Sequence, residues 1–369
     1  MSKFYQPKLQ NMYTNVIITG TGSYVPENIV TNNDFASKKF YDSNKKAINA
    51  SQDEIIKKFT AITGIAERRY VDDNQVASDI GSIAAKRAIK DSGIDPETID
   101  QIIVAHNYGD TKKGTIQMDA VPSIAARIKR NLQIKNPSSV AYDLLFGCPG
   151  WLQGIIQAQA YIKAGMAKKC LVISTETLSR VIDENDRDSM IYADGAGACI
   201  IEAVESDTQE GVITTISATH AIDEAYYLYF DKSNNPSSTS PTRYLKMHGR
   251  KIYEFALTNV PPAMKTCLDE SGFGIHDVKK IFIHQANEKM DNEIIKRFYR
   301  LYKERKIPNN ITPMSIHMYG NSSVATIPTL FDLVRKGHYK GVHELNKGDI
   351  ILFTSVGAGM NLNAITYKV

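Results

Sequence analysis

The chain has 369 residues, 43% hydrophobic and 23% charged, with a formal net charge of +4. This is the composition of a soluble globular protein with a sizeable core, and it excludes disordered and fibrous classes. The mild charge and the lack of an interleaved basic and aromatic surface exclude a nucleic-acid binder. No apolar run is long enough to span a bilayer, and residues 1–15 are polar, without the apolar stretch of a secretory signal. Cys148, Cys170, Cys199 and Cys267 show neither CxxC nor metal-ligand spacing. Three of them lie in apolar segments, which points to a reducing compartment and a cytoplasmic protein.

Val16-Ile-Ile-Thr-Gly-Thr-Gly-Ser-Tyr-Val-Pro26 reads as a strand followed by a glycine-rich turn, without the spacing of a dinucleotide fingerprint. Residues 32–52 are rich in Lys and Asn and read as surface helix and loop. Ile80, Ala84, Ala88 and Ile89 mark one face of a helix over 77–92, which Gly93 stops. A strand follows at 102–105 and ends in His106; 122–132 is a further helix. Residues 140–146 read as a buried strand ending at Gly147, and a strongly apolar helix then runs over 151–162 to Gly165. Residues 170–174 are a strand, and Asp194-Gly-Ala-Gly197 opens another.

Several landmarks occur twice, offset by roughly 160 to 180 residues. Asp91-Ser-Gly93, a strand and His106 are matched by Glu270-Ser-Gly272, a strand and His284. Phe146-Gly-Cys148 is matched by Tyr319-Gly-Asn321, Lys163-Ala-Gly165 by Arg335-Lys-Gly337, and Gly195-Ala-Gly197 by Gly357-Ala-Gly359. The ordered set predicts a duplicated α/β unit with mainly parallel sheet, layered α-β-α-β-α. The halves are expected at 1–205 and 206–369, with loop chemistry over 231–241 near the join.

Cys148 falls at a strand-to-helix turn, where Pro149 fits the first helical turn. A thiol there feels the positive end of the helix dipole, while apolar surroundings oppose its ionisation. The repeat sets Cys148 and Asn321 at equivalent turns and His284 at a strand end, so the three can meet near the pseudo-twofold. Together they supply a nucleophile and two neutral donors for a developing oxyanion. Taken singly, Cys148 and His284 also read as core residues, Asn321 as a helix cap, and Gly357 and Gly359 as turn glycines. His106 reads as structural. The basic stretch 292–306 reads as a solvated face or a dock for an acidic partner.

Phe146-Gly-Cys148-Pro-Gly, Ile283-His284-Gln-Ala-Asn287, Gly320-Asn321-Ser-Ser and Val356-Gly-Ala-Gly359 resemble the ordered motifs of β-ketoacyl-acyl carrier protein synthase III, a thiolase-like condensing enzyme family. Thr63-Gly-Ile-Ala-Glu-Arg-Arg69 and Asp194-Gly-Ala-Gly-Ala198 match it too, and the resemblance covers 16–369. It implies a duplicated thiolase-like fold and a homodimer. Cys148 would take an acyl group from coenzyme A or acyl carrier protein. Malonyl-acyl carrier protein would then lose CO₂ and condense with the acyl-cysteine. His284 and Asn321 would stabilise the enolate. Backbone N–H groups of Cys148 and of Gly357 or Ala358 would form the oxyanion hole. Asn287 and Arg187 match positions that contact the donor's pantetheine or nucleotide. No metal or nicotinamide cofactor is implied.

The chain departs from the family at several places. Lys58 and Ile62 replace the Trp and Arg that hold adenine, Val121 replaces the Phe of the segment that crosses the dimer to line the acyl pocket, Met360 replaces the Phe after the C-terminal glycines, and Trp151 stands where Phe is frequent. Extra length at 32–58 and 300–313 adds to these differences. Two alternatives stay open. One is a specialised ketosynthase that uses a longer or β-keto acyl donor. The other is a thioester hydrolase built on Cys148 and His284. A catalytically silent partner subunit would not need to keep all three residues.

Overall fold

A computed structural model of the protein describes residues 12–369. The polar opening stretch lies, up to residue 11, outside the described residues. Nine strands form one mixed sheet. Their spatial order is Val278–Ile283, Ile350–Gly357, Asn361–Lys368, Gly211–Thr219, Tyr13–Tyr24, Asp194–Ser206, Lys169–Thr177, Gln101–Ala105 and Val140–Leu144. The two wings mirror each other about the parallel rung Val16–Gly211. Reading outward, each has its first strand, then its last, then the strand after its buried helix, then the strand ending at its histidine. The first wing adds Val140–Leu144 as an edge strand. The second has no such strand among the described residues; only the Ile281 N–H reaches the Ile311 carbonyl, at 2.9 Å. The chain passes from one wing to the other between Ser206 and Gly211.

Two helices lie between the wings. Gly150–Lys163 follows Cys148, and Thr326–Arg335 follows Asn321. Trp151, Leu152 and Ile155 of the first helix share one apolar cluster with Ile327, Leu330 and Phe331 of the second. Ile103 and Val172 join that cluster from the first wing, and Ile351, Phe353 and Ile365 from the second. This is the layered, duplicated arrangement that the repeat predicts. Burial of these side chains from both wings at once is what holds the wings in register.

Helix ends agree closely with the sequence pattern. Ala77–Ser92 stops at Gly93, whose φ of +73° is a left-handed cap. Gly165 and Gly337, with φ of +72° and +77°, follow the two central helices. The helix expected over 122–132 is Ile124–Asn131, and the basic one is Glu288–Leu301.

Three expectations need correction. Gly20 and Gly22 do not form a turn; both lie inside the strand Tyr13–Tyr24. A Cβ on Gly22 would sit 2.3 Å from the Ala84 carbonyl oxygen, and one on Gly20 2.5 Å from that of Ala88. The glycines therefore let the helix Ala77–Ser92 lie directly on the strand. The sheet is also not mainly parallel. Four of its eight pairings are parallel and four antiparallel. The last strand of each wing returns without a crossover helix, and such a connection gives antiparallel pairing. Finally, Val140–Leu144 is an edge strand, with Val140 51% exposed. Among the described residues no helix is long and apolar enough to cross a membrane.

Gly22→Ala should lower unfolding free energy by about 1–3 kcal/mol in urea denaturation, because the added methyl meets backbone and not a movable side chain. Gly93→Ala should cost only about 1 kcal/mol, since its methyl would face open space and only the left-handed φ opposes it. Equal losses at the two positions would contradict the close helix–strand contact.

Candidate active site

Cys148 lies between Gly147 and Pro149, directly before the helix Gly150–Lys163. Gly147 has φ +67°, and a Cβ there would be 2.6 Å from the Ala358 backbone nitrogen. A Cβ on Gly357 would be 2.4 Å from the Cys148 nitrogen. The turns of the two wings thus touch backbone to backbone, with no room for side chains between them. Asn361 Nδ2 ties them further, donating to the Ala358 carbonyl (2.9 Å) and the Phe146 carbonyl (3.3 Å). This contact sets the backbone nitrogens of Cys148 and Ala358 at the same crossing.

Asn321 is held by the opposite wing. Its N–H donates to the Ile191 carbonyl (3.0 Å), and its carbonyl accepts from the Ala193 N–H (2.8 Å). The preceding Gly320 has φ +63°, and a Cβ there would press on Arg68 Cβ at 2.8 Å. Asn321 Oδ1 accepts the Ser323 N–H at 2.7 Å. The bond settles the amide orientation and leaves Nδ2 as the free donor.

His284 follows the strand Val278–Ile283, with its N–H on the Thr354 carbonyl at 3.0 Å. Its Nδ1 lies 2.8 Å from Thr326 Oγ1, which is also 3.0 Å from the Ser323 carbonyl. A threonine hydroxyl has one hydrogen. When that hydrogen goes to the carbonyl, His284 donates from Nδ1 and keeps a lone pair at Nε2. When it goes to Nδ1, Nε2 carries the ring's hydrogen. Rotation of one hydroxyl changes His284 from acceptor to donor.

Cys148, His284 and Asn321 all line one cavity of about 1020 Å³. Burial governs their charge states. It pushes the Cys148 thiol up to about 11, although the Ser323 hydroxyl at 3.3 Å acts the other way. It pulls His284 down to about 4, so the ring is neutral at pH 7. Three groups without net charge therefore face one space.

Gly357, Ala358, Met360, Asn287 and Arg187 also line the cavity. Asn287 caps the helix Glu288–Leu301 through Oδ1 on the Met290 N–H (3.0 Å), which leaves its Nδ2 free. Lys58 and Ile62 stand on the cavity wall. One expected substrate contact is absent. Trp151 is 1% exposed and packs on Phe331 and Phe353 inside the central layer. One residue past the helix start, its side chain has turned away from the cavity toward the core. Val121, which the resemblance sets in a segment that crosses a dimer, is 89% exposed. His106 is structural, as expected: Nε2 pairs with Asp143 at 3.0 Å, and Nδ1 accepts the Gly109 N–H at 2.9 Å.

Much of the wall was not anticipated. Ile48, Ala50, Ile55 and Phe59 belong to the added stretch or adjoin it, and that stretch is anchored in the fold by buried Phe35 and Phe40. Leu228, Phe230, Leu245 and Met247 come from the hairpin Leu228–Lys232 and Arg243–Met247. The expected loop at 231–241 is the tip of this hairpin, with Asp231 and Lys232 still in a strand. Ser323, Asn107 and Tyr108 complete the polar side. The Gly-Asn-Ser-Ser motif was a signal for Ser323, and the strand end at His106 was one for Asn107. Nothing local marked the hairpin as cavity wall.

Trp151→Leu should reduce stability by a few kcal/mol in thermal or urea unfolding while leaving ligand preference unchanged; altered preference would return Trp151 to the cavity. His284 has a second signature. Its folded pKa of about 4 lies below its unfolded value of about 6.5. Between these pH values the unfolded chain holds a proton that the folded chain does not, so stability rises with pH across that window and falls on acidification. His284→Gln should flatten that part of the stability–pH curve; an unchanged slope would show that the imidazole is not buried as a neutral ring.

The sequence model for 3-oxoacyl-[acyl-carrier-protein] synthase III matches residues 142–220. The model for the C-terminal part of the same enzyme matches residues 268–369. The chain is similar to the β-ketoacyl-[acyl-carrier-protein] synthase III of Caldanaerobacter subterraneus subsp. tengcongensis, 32% identical over 93% of this chain and 94% of the relative. It is 33% identical to that of Clostridium acetobutylicum, over 96% of this chain and 98% of the relative. The solved structure of the synthase III from Thermus thermophilus superposes with a TM-score of 0.78 at 28% identity, covering 96% of this chain and 99% of the other. The fold is thus thiolase-like, and the chain belongs to the β-ketoacyl-[acyl-carrier-protein] synthase III family of condensing acyltransferases.

Proposed function

We propose that the protein joins an acyl thioester to malonyl-acyl carrier protein by decarboxylative Claisen condensation, with Cys148 as the acyl carrier. The observation that carries this reading is the meeting of Cys148, His284 and Asn321 on one cavity from distant parts of the chain. In the first half-reaction, Cys148 Sγ bonds to the acyl carbonyl carbon and the donor's sulfur leaves. The thiol proton passes to the departing thiolate, with His284 Nε2 as the acceptor between them. The N–H groups of Cys148 and Ala358 receive the carbonyl oxygen as it gains charge. In the second, the malonyl C–C bond breaks, CO₂ leaves, and its electron pair forms an enolate. Asn321 Nδ2 and His284 Nε2–H stabilise the enolate oxygen. The enolate carbon attacks the acyl carbonyl, Cys148 departs as thiolate, and a proton taken up from water restores the thiol.

Electrostatics supports this division of labour. A carboxylate is a poor neighbour for a malonyl group, which must lose its own carboxylate into a low-dielectric space. Neutral donors stabilise the enolate without repelling the substrate. No metal or redox cofactor enters any of these steps.

The cavity wall favours an acyl donor longer than a few carbons. Ile48, Ile55, Phe59, Leu245 and Met247 give it an apolar lining of large extent. This supports a specialised ketosynthase as a second reading within the same chemistry. Arg187, Lys58 and Arg250 line the same cavity, and an acidic carrier protein would complement them. A homodimer is the expected assembly. Its support is the uncovered edge Val140–Leu144, with exposed Val121 and Met118 nearby in the chain.

Incubation with a panel of acyl-coenzyme A and acyl-carrier-protein thioesters, read by intact mass, should give one acyl adduct that Cys148→Ala abolishes. The adduct masses give the donor class, and labelling by long donors alone would favour the specialised reading. Asn321→Ala should leave acylation within a few-fold but reduce condensation by about 10²-fold or more, the scale of a lost oxyanion donor. Steady release of free acid, without an adduct or a new C–C bond, would replace condensation with hydrolysis.

A further inference from the structure

The Cys148 sulfur ends a line of hydrogen bonds that the condensation chemistry does not use. Ser323 Oγ donates to Sγ at 3.3 Å. Asn107 Nδ2 donates to Ser323 Oγ at 2.9 Å. The other hydrogen of that amide goes to Glu176 Oε1, which also accepts the Asn107 backbone N–H at 2.8 Å. Glu176 is 1% exposed and Ser323 5%. The line crosses the molecule's midplane. Glu176 and Asn107 stand at adjacent strand ends of the first wing, and Ser323 belongs to the turn of the second.

The line has a direction. A serine hydroxyl has one hydrogen to give. While Asn107 presents Nδ2 to it, that hydrogen goes to sulfur. If the amide turned over, Asn107 Oδ1 would face Ser323 and compete for the hydrogen. Glu176 Oε1, by accepting two N–H groups of one residue, holds the amide the right way round. Ser323 is itself held in place: its φ of +53° is left-handed, unusual for a residue with a Cβ, and Asn321 Oδ1 secures its N–H.

We propose that Glu176, acting through Asn107, positions the Ser323 hydroxyl as a fixed donor to Cys148 Sγ, which favours the thiolate during acylation and when the acyl group departs. Cys148 as the nucleophile is the reading on which this rests. The role of Glu176 needs an oxygen and not a charge. An ionised carboxylate would oppose the thiolate, and burial raises Glu176 to about 8, so it keeps its proton at neutral pH while Oε1 still accepts.

The test is the rate of Cys148 alkylation by iodoacetamide, read by intact mass across about pH 6 to 10, with thermal unfolding alongside. Ser323→Ala should slow alkylation at pH 7 by about tenfold and move the profile up by about one pH unit, the scale of a hydrogen bond to a charged group. Glu176→Leu should move it in the same direction. Glu176→Gln, which keeps an accepting oxygen, should stay within about twofold of the parent. The double variant S323A/E176L should react no more slowly than Ser323→Ala alone, because Glu176 acts through Ser323. An unshifted Ser323→Ala profile, or additive losses in the double variant, would overturn the proposal. Should Glu176→Leu not fold, Asn107→Leu takes its place with the same upward shift expected, and an unchanged profile counts against the line. Alkylation reads the thiol and needs no acyl donor. Normal alkylation with no acylation by any thioester would sink the nucleophile reading, and with it the role in acylation, while shifted variant profiles would still show the donor line to the sulfur.

Discussion

The site depends on one contact, the backbone crossing of the two wings at Gly147-Cys148 and Gly357-Ala358. Neither wing holds a complete reaction centre. The first brings Cys148 to the cavity; the second brings Ala358, His284 and Asn321, and the proposed chemistry needs all of them. Only glycine lets the strands pass so closely, and a side chain on either would force the wings apart. The apolar layer between the central helices supplies the adhesion that keeps the crossing closed. The crossing in turn fixes the geometry to which that adhesion is put.

Burial has a second effect. Desolvation removes charge from the groups that face the cavity, so His284 is neutral and the Cys148 thiol keeps its proton. A thiol of this kind is inert until a donor helps it ionise. The helix Gly150–Lys163, whose first turn follows Cys148, and the Ser323 hydroxyl are the available sources of help. Neutral surroundings suit the later chemistry, in which a carboxylate must enter, lose CO₂ and leave an enolate. Stability and reactivity are set by the same low-dielectric space, and they pull the thiol in opposite directions.

The sequence was most legible where local rules decide the outcome. Gly93, Gly165 and Gly337 end their helices as the pattern predicts, because a left-handed cap is a property of a few residues. The repeat made Cys148, His284 and Asn321 legible as a set, since duplication carries three-dimensional equivalence into the linear order. Legibility failed where a distant partner decides. Gly20 and Gly22 read as a turn because the helix that lies on them is some sixty residues away. Trp151 read as a pocket residue because the resembled family often has Phe there, but packing between the central helices decides its direction and sets the indole on Phe331 and Phe353. The stretch 32–52 read as surface because its composition is polar, yet two apolar residues, Phe35 and Phe40, decide where it packs. Asn107, Glu176 and Ser323 converge only after folding, so their spacing carried no message.

The grip of the first wing on Asn321 has a consequence for what the position tolerates. Ile191 and Ala193 hold that residue by backbone bonds, whatever their side chains. Side chains at the two equivalent turns can therefore differ, cysteine on one side and asparagine on the other, while the main-chain clasp is indifferent to that difference.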